Sequence, residues 1–242
     1  ETLMPGHVRI DHAVSVPGLP GFAEGRWWVQ DIAASLPARL AGKGESGGKG
    51  RAALDLCAAP GGKTMQLAAQ GWAVTALDKS ARRLERMADN LARSGLAAQV
   101  AQGDALSWEP EEAADLVLLD APCSATGIFR RHPDVLHRAG PRQIAEMAEL
   151  QAQMLDRAAD WVKPGGLLIY ATCSLEQAEG EDQIARFLAE REDFTLLPPA
   201  EGELPPGVTA YAQGHIRTLP GMLADKGGID GFFIARLTRR AA

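Results

Sequence analysis

The stretch LDLCAAPGGKT, residues 54–64, decides the fold of this chain. An apolar run that begins at Ala52 leads into it, two glycines follow its proline, and a helical pattern continues to residue 70. A buried strand that passes through a glycine-rich turn into a helix is typical of open α/β sheets, whose ligands lie beyond the carboxyl ends of the strands. The stretch therefore predicts the first strand and the ligand-binding turn of a nucleotide-binding fold.

The segments that follow alternate between strand and helix patterns. Strands are predicted at 52–56, 73–77, 98–101, 115–119 and 167–173, and helices at 62–70, 80–94, 141–162 and 177–190. Such alternation predicts an α/β, Rossmann-like, doubly wound and mostly parallel sheet with helices on both faces. Two further strand patterns, at 209–220 and 231–239, flank a glycine-containing loop and predict an antiparallel C-terminal edge.

Two regions are expected along the chain. Residues 1–45 form a lead-in of loops and one helix, predicted from Trp27 to Leu40, that packs on the main domain. The glycine-rich segment 41–50 is interpreted as a flexible connector, and residues 46–242 form the main domain. Because the chain begins with Glu1 and not Met, we expect it to be a fragment or a processed form of something longer.

Composition bounds the class of protein. The chain has 242 residues, 46% of them hydrophobic, and can bury one sizeable core. No apolar run of membrane-spanning length and no signal-peptide pattern is present, so we expect a cytoplasmic protein that binds no membrane. Three widely spaced cysteines indicate neither a disulfide framework nor a metal site, and we expect a monomer without metal. The net charge of −6 leaves room for a local basic patch.

Acidic residues follow the second and third predicted strands, at the edge where the glycine-rich turn lies. Asp78 ends the second strand, where a carboxylate suits the hydroxyls of a ribose, and Asp104 follows the third, where it could recognise an adenine amino group. Taken singly, Asp78 has a plain alternative as a helix cap and Asp104 as a turn residue. Their joint position favours a nucleoside site. A missing G-x-G-x-x-G pattern counts against a nicotinamide cofactor, and S-adenosylmethionine is the other possibility.

Cysteines follow the fourth and fifth predicted strands. Cys123 lies in DAPCSATG and Cys173 in YATCSLEQ, so both reach the same sheet edge. Free cysteine is commonly a small buried hydrophobe, and this is the interpretation we prefer for Cys57 in the glycine-rich turn. The small polar neighbours of Cys123 and Cys173 instead favour reactive thiols.

In these motifs the sequence resembles the RNA cytosine-5 methyltransferases of the Sun/Fmu (NOL1/NOP2/Sun, RsmB-like) family. The resemblance extends from PGFAEGRWWVQD at 20–31, through LDLCAAPGGKT and both cysteine motifs, to DGFFIARL at 230–237. It implies a catalytic domain that transfers a methyl group from S-adenosylmethionine to carbon 5 of a cytosine in RNA, with ribosomal RNA the favoured substrate. One departure is Ala125, where many relatives have glycine in PCSGTG, and we expect a small adjustment of the loop there.

When the motifs of the family are matched to this sequence, the resemblance implies a role for each site residue. Cys173 becomes the nucleophile that adds to carbon 6 of the cytosine, and Cys123 the thiol that assists product release. Asp120 would hydrogen-bond the cytosine ring, and Lys63 would favour the thiolate form of the nucleophile. The implied S-adenosylmethionine site comprises Cys57, Ala58, Ala59, Pro60, Gly61, Gly62, Lys63, Asp78, Asp104 and Asp120.

A basic stretch after the Cys123 loop is the best candidate for contacts with RNA phosphates. Its residues are Arg130, Arg131, His132, Arg138 and Arg142. The alternative is a solvated helix start whose arginines pair with nearby acids. The family commonly carries an additional N-terminal RNA-binding domain, to which no part of this sequence is assigned.

Three other functions stay open: methylation of transfer RNA, a methyltransferase-like RNA-binding module without turnover, and a dinucleotide-dependent oxidoreductase on the same fold. The intact cysteine pair counts against the module, and the missing glycine fingerprint counts against the oxidoreductase. The sequence does not say which cytosine is methylated.

Overall fold

The computed structural model describes residues 2–10, 15–46 and 49–241. Its strands are β1 (Thr2–Met4), β2 (His7–Val8), β3 (Glu45–Ser46), β4 (Lys49–Gly50), β5 (Ala52–Leu56), β6 (Ala73–Asp78), β7 (Gln99–Gln102), β8 (Ala114–Asp120), β9 (Val162–Thr172), β10 (Phe194–Leu196), β11 (Ile216–Thr218) and β12 (Phe232–Arg239). Its α-helices are α1 (Ile32–Leu40), α2 (Gly62–Ala69), α3 (Ala81–Ser94), α4 (Val135–Arg138), α5 (Pro141–Asp160) and α6 (Glu181–Glu190).

An eight-stranded sheet organises these elements. Seven strands follow the order β10-β12-β9-β8-β5-β6-β7, and β11 pairs with β12. The five strands from β9 to β7 are parallel, whereas β12 is antiparallel to both β9 and β10. The chain winds outward in opposite directions from the β5–β8 pair, which makes this pair the topological switch point where such sheets bind ligands. The prediction of a doubly wound, mostly parallel α/β sheet is confirmed.

Helices cover both faces of the sheet because successive strand residues face opposite ways. On β8, Leu116 and Leu118 belong to the apolar cluster that contains α1, while Val117 and Leu119 belong to the cluster that contains α5 and α6. All four leucine and valine side chains are fully buried. Strands buried on both faces require this continuous apolar character.

The antiparallel C-terminal edge is present, but its composition differs from the prediction. Residues 232–239 lie between β9 and β10 and pair with both, so they are interior. The outermost described strand at this end is β10, which was not predicted because three residues are too few to show an alternation pattern. The segment 209–220 supplies only the short strand β11 and one isolated bridge between Ala210 and Ile216.

Two predicted helices are shorter than expected. α1 begins at Ile32 and not at Trp27, because Asp31 Oδ1 accepts the Ala33 amide at 2.8 Å and caps the helix. The predicted helix 177–190 is interrupted at Gly180, whose φ of −133° and ψ of −93° separate a single 3-10 turn from α6. Local propensity did not indicate either boundary.

The described part of the lead-in packs on the sheet. Ile32 and Leu36 of α1 share a buried cluster with Ile169 of β9 and Ile234 of β12. The predicted connector 41–50 contains the paired strands β3 and β4. Positions 47 and 48 of the connector, and positions 1 and 11–14 of the lead-in, lie outside the described residues, and a domain boundary at 45 stays a prediction. None of the described helices has the length and apolar character needed to cross a membrane.

Candidate active site

The carboxyl ends of the parallel strands surround a cleft of about 270 Å³. Leu150 and Met154 of α5, which sequence analysis did not single out, contribute apolar side chains to its wall. Five strands deliver predicted site residues to the lining, namely Cys57 after β5, Asp78 on β6, Asp104 after β7, Asp120 and Cys123 at the end of β8, and Cys173 after β9. The predicted turn residues 58–63 do not line the cleft directly. The fold thus brings the predicted cofactor acids and both cysteines to one site.

The glycine-rich turn is held in place by backbone and packing contacts. Gly61 has a φ of 99°, and a Cβ at this position would lie 2.6 Å from Met87 Cγ, so only glycine fits. The Ala58 amide donates to the Leu77 carbonyl at 3.0 Å and ties the turn to the end of β6. The conformation of the turn is therefore fixed by contacts within the protein itself.

Two buried titratable groups flank the turn. Burial, together with the neighbouring Asp120 carboxylate, raises the pKa of Cys57 to about 12, so this thiol keeps its proton. A protonated Cys57 thiol agrees with the predicted role of this residue in packing. Burial also raises the pKa of Asp55 to about 7, and the hydrogen bond that Thr64 Oγ1 donates to Asp55 Oδ2 at 2.6 Å opposes the shift.

Asp78 is a buried carboxylate, 2% exposed, that faces the cleft and also supports the turn. Its Oδ2 accepts the Ala59 amide at 3.1 Å and pairs with Arg83 Nη1 at 3.1 Å. Its Oδ1 accepts the Ser80 amide at 2.9 Å. The helix cap of α3 is Ser80, whose side chain accepts from the Arg83 amide. Asp78 thus lies two residues before the cap, and its carboxylate accepts a hydrogen bond from the turn.

Asp104 has a different environment at the rim of the cleft. It is exposed, and its Oδ1 accepts the backbone amide two residues later at 3.0 Å. This contact is that of a turn residue, which was one of the two interpretations of the position. The carboxylate also lines the cleft, so the turn leaves it available to a ligand.

Lys63 and Asp120 form an ion pair, with Nζ and Oδ2 2.8 Å apart. The Lys63 side chain is 10% exposed and that of Asp120 31% exposed, so the ammonium lies beneath the carboxylate. Lys63 Nζ also lies 5.3 Å from the centroid of the Phe232 ring. A buried ammonium with one carboxylate partner holds that carboxylate in place, and here it holds Asp120 at the cleft surface.

The two cysteines of the cleft are in contact. Cys123 Sγ and Cys173 Sγ lie 3.4 Å apart, and both are free thiols that line the cleft. The hydrogen bond with Cys173, together with burial, holds the pKa of Cys123 well above its usual range. Cys123 therefore keeps its proton at neutral pH, and a second sulfur of the same cleft lies in contact with it.

A buried carboxylate that sequence analysis did not single out lies behind the cysteines. Glu179 is fully buried and accepts the Ser124 amide at 2.8 Å and Gln151 Nε2 at 3.0 Å. It also accepts the hydroxyls of Ser124 and Ser174. In sequence Glu179 is one of four acids in LEQAEGED, a pattern typical of a solvated surface. Its partners lie as far as 55 residues away, so no local signal marks it.

The Cys123 loop packs closely against the Cys173 loop and against Gly231, directly before the last strand. The Gly127 amide donates to the Cys173 carbonyl at 3.0 Å, and a Cβ on Gly127 would lie 2.1 Å from the Gly231 carbonyl oxygen. Ala125 adopts a left-handed φ of 58°. An alanine in this conformation costs about 1 kcal/mol, whereas glycine adopts it freely, which accounts physically for glycine at this place in PCSGTG.

Two of the predicted RNA-contacting arginines, Arg130 and Arg131, form ion pairs with acids whose side chains are largely buried. Arg131 Nε lies 2.9 Å from Oδ2 of Asp230, which is 1% exposed. Arg130 Nη2 pairs with Asp230 at 3.1 Å and with Asp31 at 3.0 Å. This geometry is the ion-paired alternative considered for the basic stretch, and contact of either arginine with RNA stays a prediction.

The remaining members of the basic stretch are more accessible. The side chains of Arg138 and Arg142 are 67% and 94% exposed, and each pairs with an acid four residues away. His132 is also exposed. Exposed pairs within one helical segment are weak, so a phosphate can displace the acid at low cost.

Comparison with known families and proteins gives consistent matches. The model of the family described as 16S rRNA methyltransferase RsmB/F matches residues 47–238. Curated relatives include the ribosomal RNA small subunit methyltransferase B of Citrobacter koseri, 43% identical, and that of Klebsiella pneumoniae, 45% identical. Each match covers 98% of this chain and 52% of the relative. The chain thus spans about half the length of the curated relatives it matches.

Solved structures with the same fold include PH0851, with a TM-score of 0.81 and 34% identity, which covers 93% of this chain and 50% of that chain. A second is NSun6 from Pyrococcus horikoshii with SFG, with a TM-score of 0.80 and 28% identity, covering 95% of this chain and 57% of that chain. The sheet and the site described above therefore lie within a region shared with both structures.

Proposed function

The chain belongs to the family described as 16S rRNA methyltransferase RsmB/F, and from this premise we propose that it transfers a methyl group from S-adenosylmethionine to carbon 5 of a cytosine in RNA. The observation that carries the proposal is the contact between Cys123 Sγ and Cys173 Sγ, 3.4 Å apart, in a cleft that also holds Asp78, Asp104 and Asp120. A nucleoside site alone needs no pair of thiols. Methylation of cytosine carbon 5 needs both a nucleophile and a group that helps to remove it.

Carbon 5 of cytosine does not attack a methyl donor unaided. Addition of the Cys173 sulfur to carbon 6 turns the ring into an enamine, whose carbon 5 is a nucleophile. After methyl transfer the proton on carbon 5 passes to water, and the electron pair that it leaves behind restores the ring double bond. The bond between carbon 6 and Cys173 breaks with its electron pair on the Cys173 sulfur, and the Cys123 thiol stabilises this leaving thiolate by a hydrogen bond. The thiolate is the reactive form of a cysteine, so the two thiols need different protonation states.

The site supports a division of roles between the cysteines. Cys123 keeps its proton because its pKa is raised by the hydrogen bond with Cys173 and by burial. It then serves as the helper thiol, placed in contact with the sulfur that has to leave the product. Cys173 follows β9 directly and is the nucleophile in this proposal.

Asp120 and Lys63 complete the catalytic group in this proposal. The Asp120 carboxylate lies at the end of β8 and lines the same cleft as Cys123 and Cys173. There it accepts a hydrogen bond from the amino group of the target base, and a proton shared between Asp120 and the ring nitrogen offsets the negative charge that develops on the ring during attack. Lys63 holds this carboxylate through the 2.8 Å ion pair.

The residues of the cleft fit an adenosyl group. Asp78 and Asp104 supply carboxylates for ribose hydroxyls and an amino group, and Leu150 and Met154 supply apolar contact. The turn that contains Gly61 lies beside the cleft and leads into the first turn of α2. When bound, S-adenosylmethionine supplies an electrophilic methyl group on a sulfonium.

We propose that the substrate is small-subunit ribosomal RNA, since the matched relatives carry that substrate in their names. The target base has to leave its stack, because the paired thiols lie in a cleft and not on a flat surface. We further propose that the protein acts as a monomer in the cytoplasm. Transfer RNA is the alternative substrate.

Incubation of the purified protein with S-adenosylmethionine carrying a labelled methyl group, and with either small-subunit ribosomal RNA or transfer RNA, tests the proposal. We expect label in the ribosomal RNA and a bisulfite-resistant cytosine at one position. Label in transfer RNA alone would show that transfer RNA, and not ribosomal RNA, is the substrate. RNA binding without methyl transfer to either RNA would favour the non-catalytic module, and calorimetric binding of NAD but not of S-adenosylmethionine would favour an oxidoreductase.

Replacement of Asp78 by asparagine is expected to weaken S-adenosylmethionine binding more than tenfold. Hydrogen bonds to a charged group contribute about 1.5–3 kcal/mol, and asparagine keeps the size of the side chain while removing the charge. Calorimetric titration measures the effect. Asp89→Asn, on the exposed side of α3, is the control and should bind S-adenosylmethionine as the wild type does. Wild-type affinity in Asp78→Asn as well would exclude Asp78 from the cofactor site.

The Arg138→Ala/Arg142→Ala double variant is expected to bind RNA with a shallower dependence on salt. Each lost phosphate contact with a single strand lowers the slope of log affinity against log salt by about 0.7. These arginines are chosen because Arg130 and Arg131 also neutralise the buried Asp230, so their removal would disturb the loop. Filter binding at several salt concentrations gives the slope.

The control for that experiment is Arg82→Ala/Arg86→Ala, which removes the same charge from the exposed side of α3. A slope that falls equally in both double variants would reflect net charge and not a specific contact. An unchanged slope in Arg138→Ala/Arg142→Ala would exclude these two residues from the RNA interface.

A further inference from the structure

Glu179 is a carboxylate with no exposed surface and a full set of donors. It receives hydrogen bonds from the Ser124 amide, the Ser124 hydroxyl, the Ser174 hydroxyl and Gln151 Nε2. An ionised carboxylate accepts about four hydrogen bonds, so each of its oxygens is satisfied without water. Such a group is costly to bury, and it persists only where its surroundings are tightly organised.

The donors of Glu179 are neighbours of the two reactive cysteines. Ser124 directly follows Cys123, and Ser174 directly follows Cys173. Both hydroxyls meet on the same oxygen, Oε2, and lie 3.2 Å from each other. One carboxylate oxygen thus joins the loop that carries the proposed helper to the loop that carries the proposed nucleophile.

The same residue also braces the opposite side of each cysteine. Gln151 Nε2, which contacts Glu179, donates to the carbonyl of Pro122 at 2.8 Å. The Glu179 carbonyl accepts the Thr172 hydroxyl at 3.2 Å and the Tyr170 hydroxyl at 2.9 Å. Both chain neighbours of Cys123 and both of Cys173 are therefore tied to Glu179, directly or through one side chain.

We propose that Glu179 is a positioning residue that clamps the two cysteine loops together and so sets the contact between Cys123 Sγ and Cys173 Sγ. Glu179 is fully buried and does not line the cleft, so it acts through Ser124 and Ser174. A catalytic role for this clamp rests on the proposed function. The contact between the two sulfurs is a feature of the structure and does not depend on that function. Its charge adds to the burial and the Cys173 hydrogen bond that raise the pKa of Cys123, which helps to keep that thiol protonated.

The sulfur contact can be measured without RNA. Phenylarsine oxide condenses with two adjacent thiols, with release of one water, and bridges them only where the sulfurs approach closely. We expect the wild-type protein to take up one equivalent on Cys123 and Cys173, identified by peptide mass spectrometry. Glu179→Gln removes the charge and turns one acceptor into a donor that opposes the serine hydroxyls. It should slow the bridging reaction at least tenfold, whereas Glu176→Gln in the same loop should leave it unchanged.

The methylation assay supplies the second readout. Glu179→Gln is expected to lower kcat for RNA methylation about a hundredfold, since small misplacements of reacting groups have effects of that size. The KM for S-adenosylmethionine should stay within twofold, because Asp78 at the end of β6 and Asp104 after β7 make no contact with Glu179. Ser174→Ala removes one arm of the clamp and should give a smaller loss of the same kind. In the Glu179→Gln/Ser174→Ala double variant the two decreases in kcat should not multiply, because both substitutions break the same hydrogen bond between Ser174 and Glu179.

These outcomes separate the clamp from the proposed function. Slower bridging in Glu179→Gln, with no methylation even by the wild-type protein, would support the clamp and overturn the function. Normal bridging and normal kcat in a folded Glu179→Gln variant would overturn the clamp and leave the function standing. If Glu179→Gln fails to fold, as judged by thermal unfolding and S-adenosylmethionine binding, Ser174→Ala decides: bridging at the wild-type rate would overturn the clamp, and slower bridging would support it.

Discussion

A Cys123→Ala variant is expected to accumulate a covalent protein–RNA adduct, whereas Cys173→Ala forms neither an adduct nor 5-methylcytosine. Removal of Cys173 removes the sulfur that adds to carbon 6, so the first bond never forms. Removal of Cys123 leaves attack and methyl transfer possible but takes away the thiol in contact with the leaving sulfur. The methylated base then stays bonded to Cys173, so each enzyme molecule completes about one methylation. The kcat for multiple turnovers is expected to fall by at least about a thousandfold.

Denaturing electrophoresis of labelled RNA measures the adduct, because a carbon–sulfur bond survives conditions that unfold the protein. Omission of S-adenosylmethionine should reduce the adduct, and the Cys123→Ala/Cys173→Ala double variant should form none. A trapped adduct in Cys173→Ala, with none in Cys123→Ala, would reverse the two roles. Normal methylation by Cys173→Ala would remove the covalent mechanism.

Asp120→Asn is expected to lower kcat on the order of a thousandfold, within the range observed for loss of one group that stabilises developing charge. The substitution has two effects at once. It takes away the carboxylate that faces the base, and it leaves the Lys63 ammonium, with a side chain 10% exposed, without its ionic partner. Steady-state kinetics with saturating S-adenosylmethionine measures kcat, and the affinity for RNA should change less than kcat does.

Strand β8 offers a matched control for this variant. Asp115 lies near the other end of the strand and pairs with Lys163 at 3.0 Å, so Asp115→Asn breaks a similar ion pair away from the cleft. Asp115→Asn should retain nearly full kcat. An equal loss of activity in both variants would mean that Asp120 acts through stability, and full activity in Asp120→Asn would exclude it from the chemistry.

The sequence predicts the sheet and most of the cleft because both depend on repeating, local signals. Apolar runs of strand length separated by helical stretches indicate parallel strands, and parallel strands carry whatever follows them to one edge. For this reason Asp78, Asp120, Cys123 and Cys173 are correctly expected to lie together. Only the alternation of strands and helices and the place of each residue within it were needed.

Features that depend on distant partners could not be predicted in this way. Glu179 resembles its acidic neighbours until the loops that carry Ser124 and Ser174 enclose it. The basic stretch looks free until Asp230, 99 residues away along the chain, is found against Arg131. The start of α1 depends instead on a local contact, the cap that Asp31 gives to the Ala33 amide, and helix propensity does not indicate the break at Gly180.

The interior position of β12 has a consequence for the growing chain. β12 follows every other described strand in the sequence, so it leaves the ribosome after β9, its neighbour in the sheet. Until then β9 has an unpaired edge along residues 168–171, which are fully buried in the finished sheet. Exposed apolar edges attract other strands, so a nascent chain at this stage is open to aggregation and to capture by chaperones.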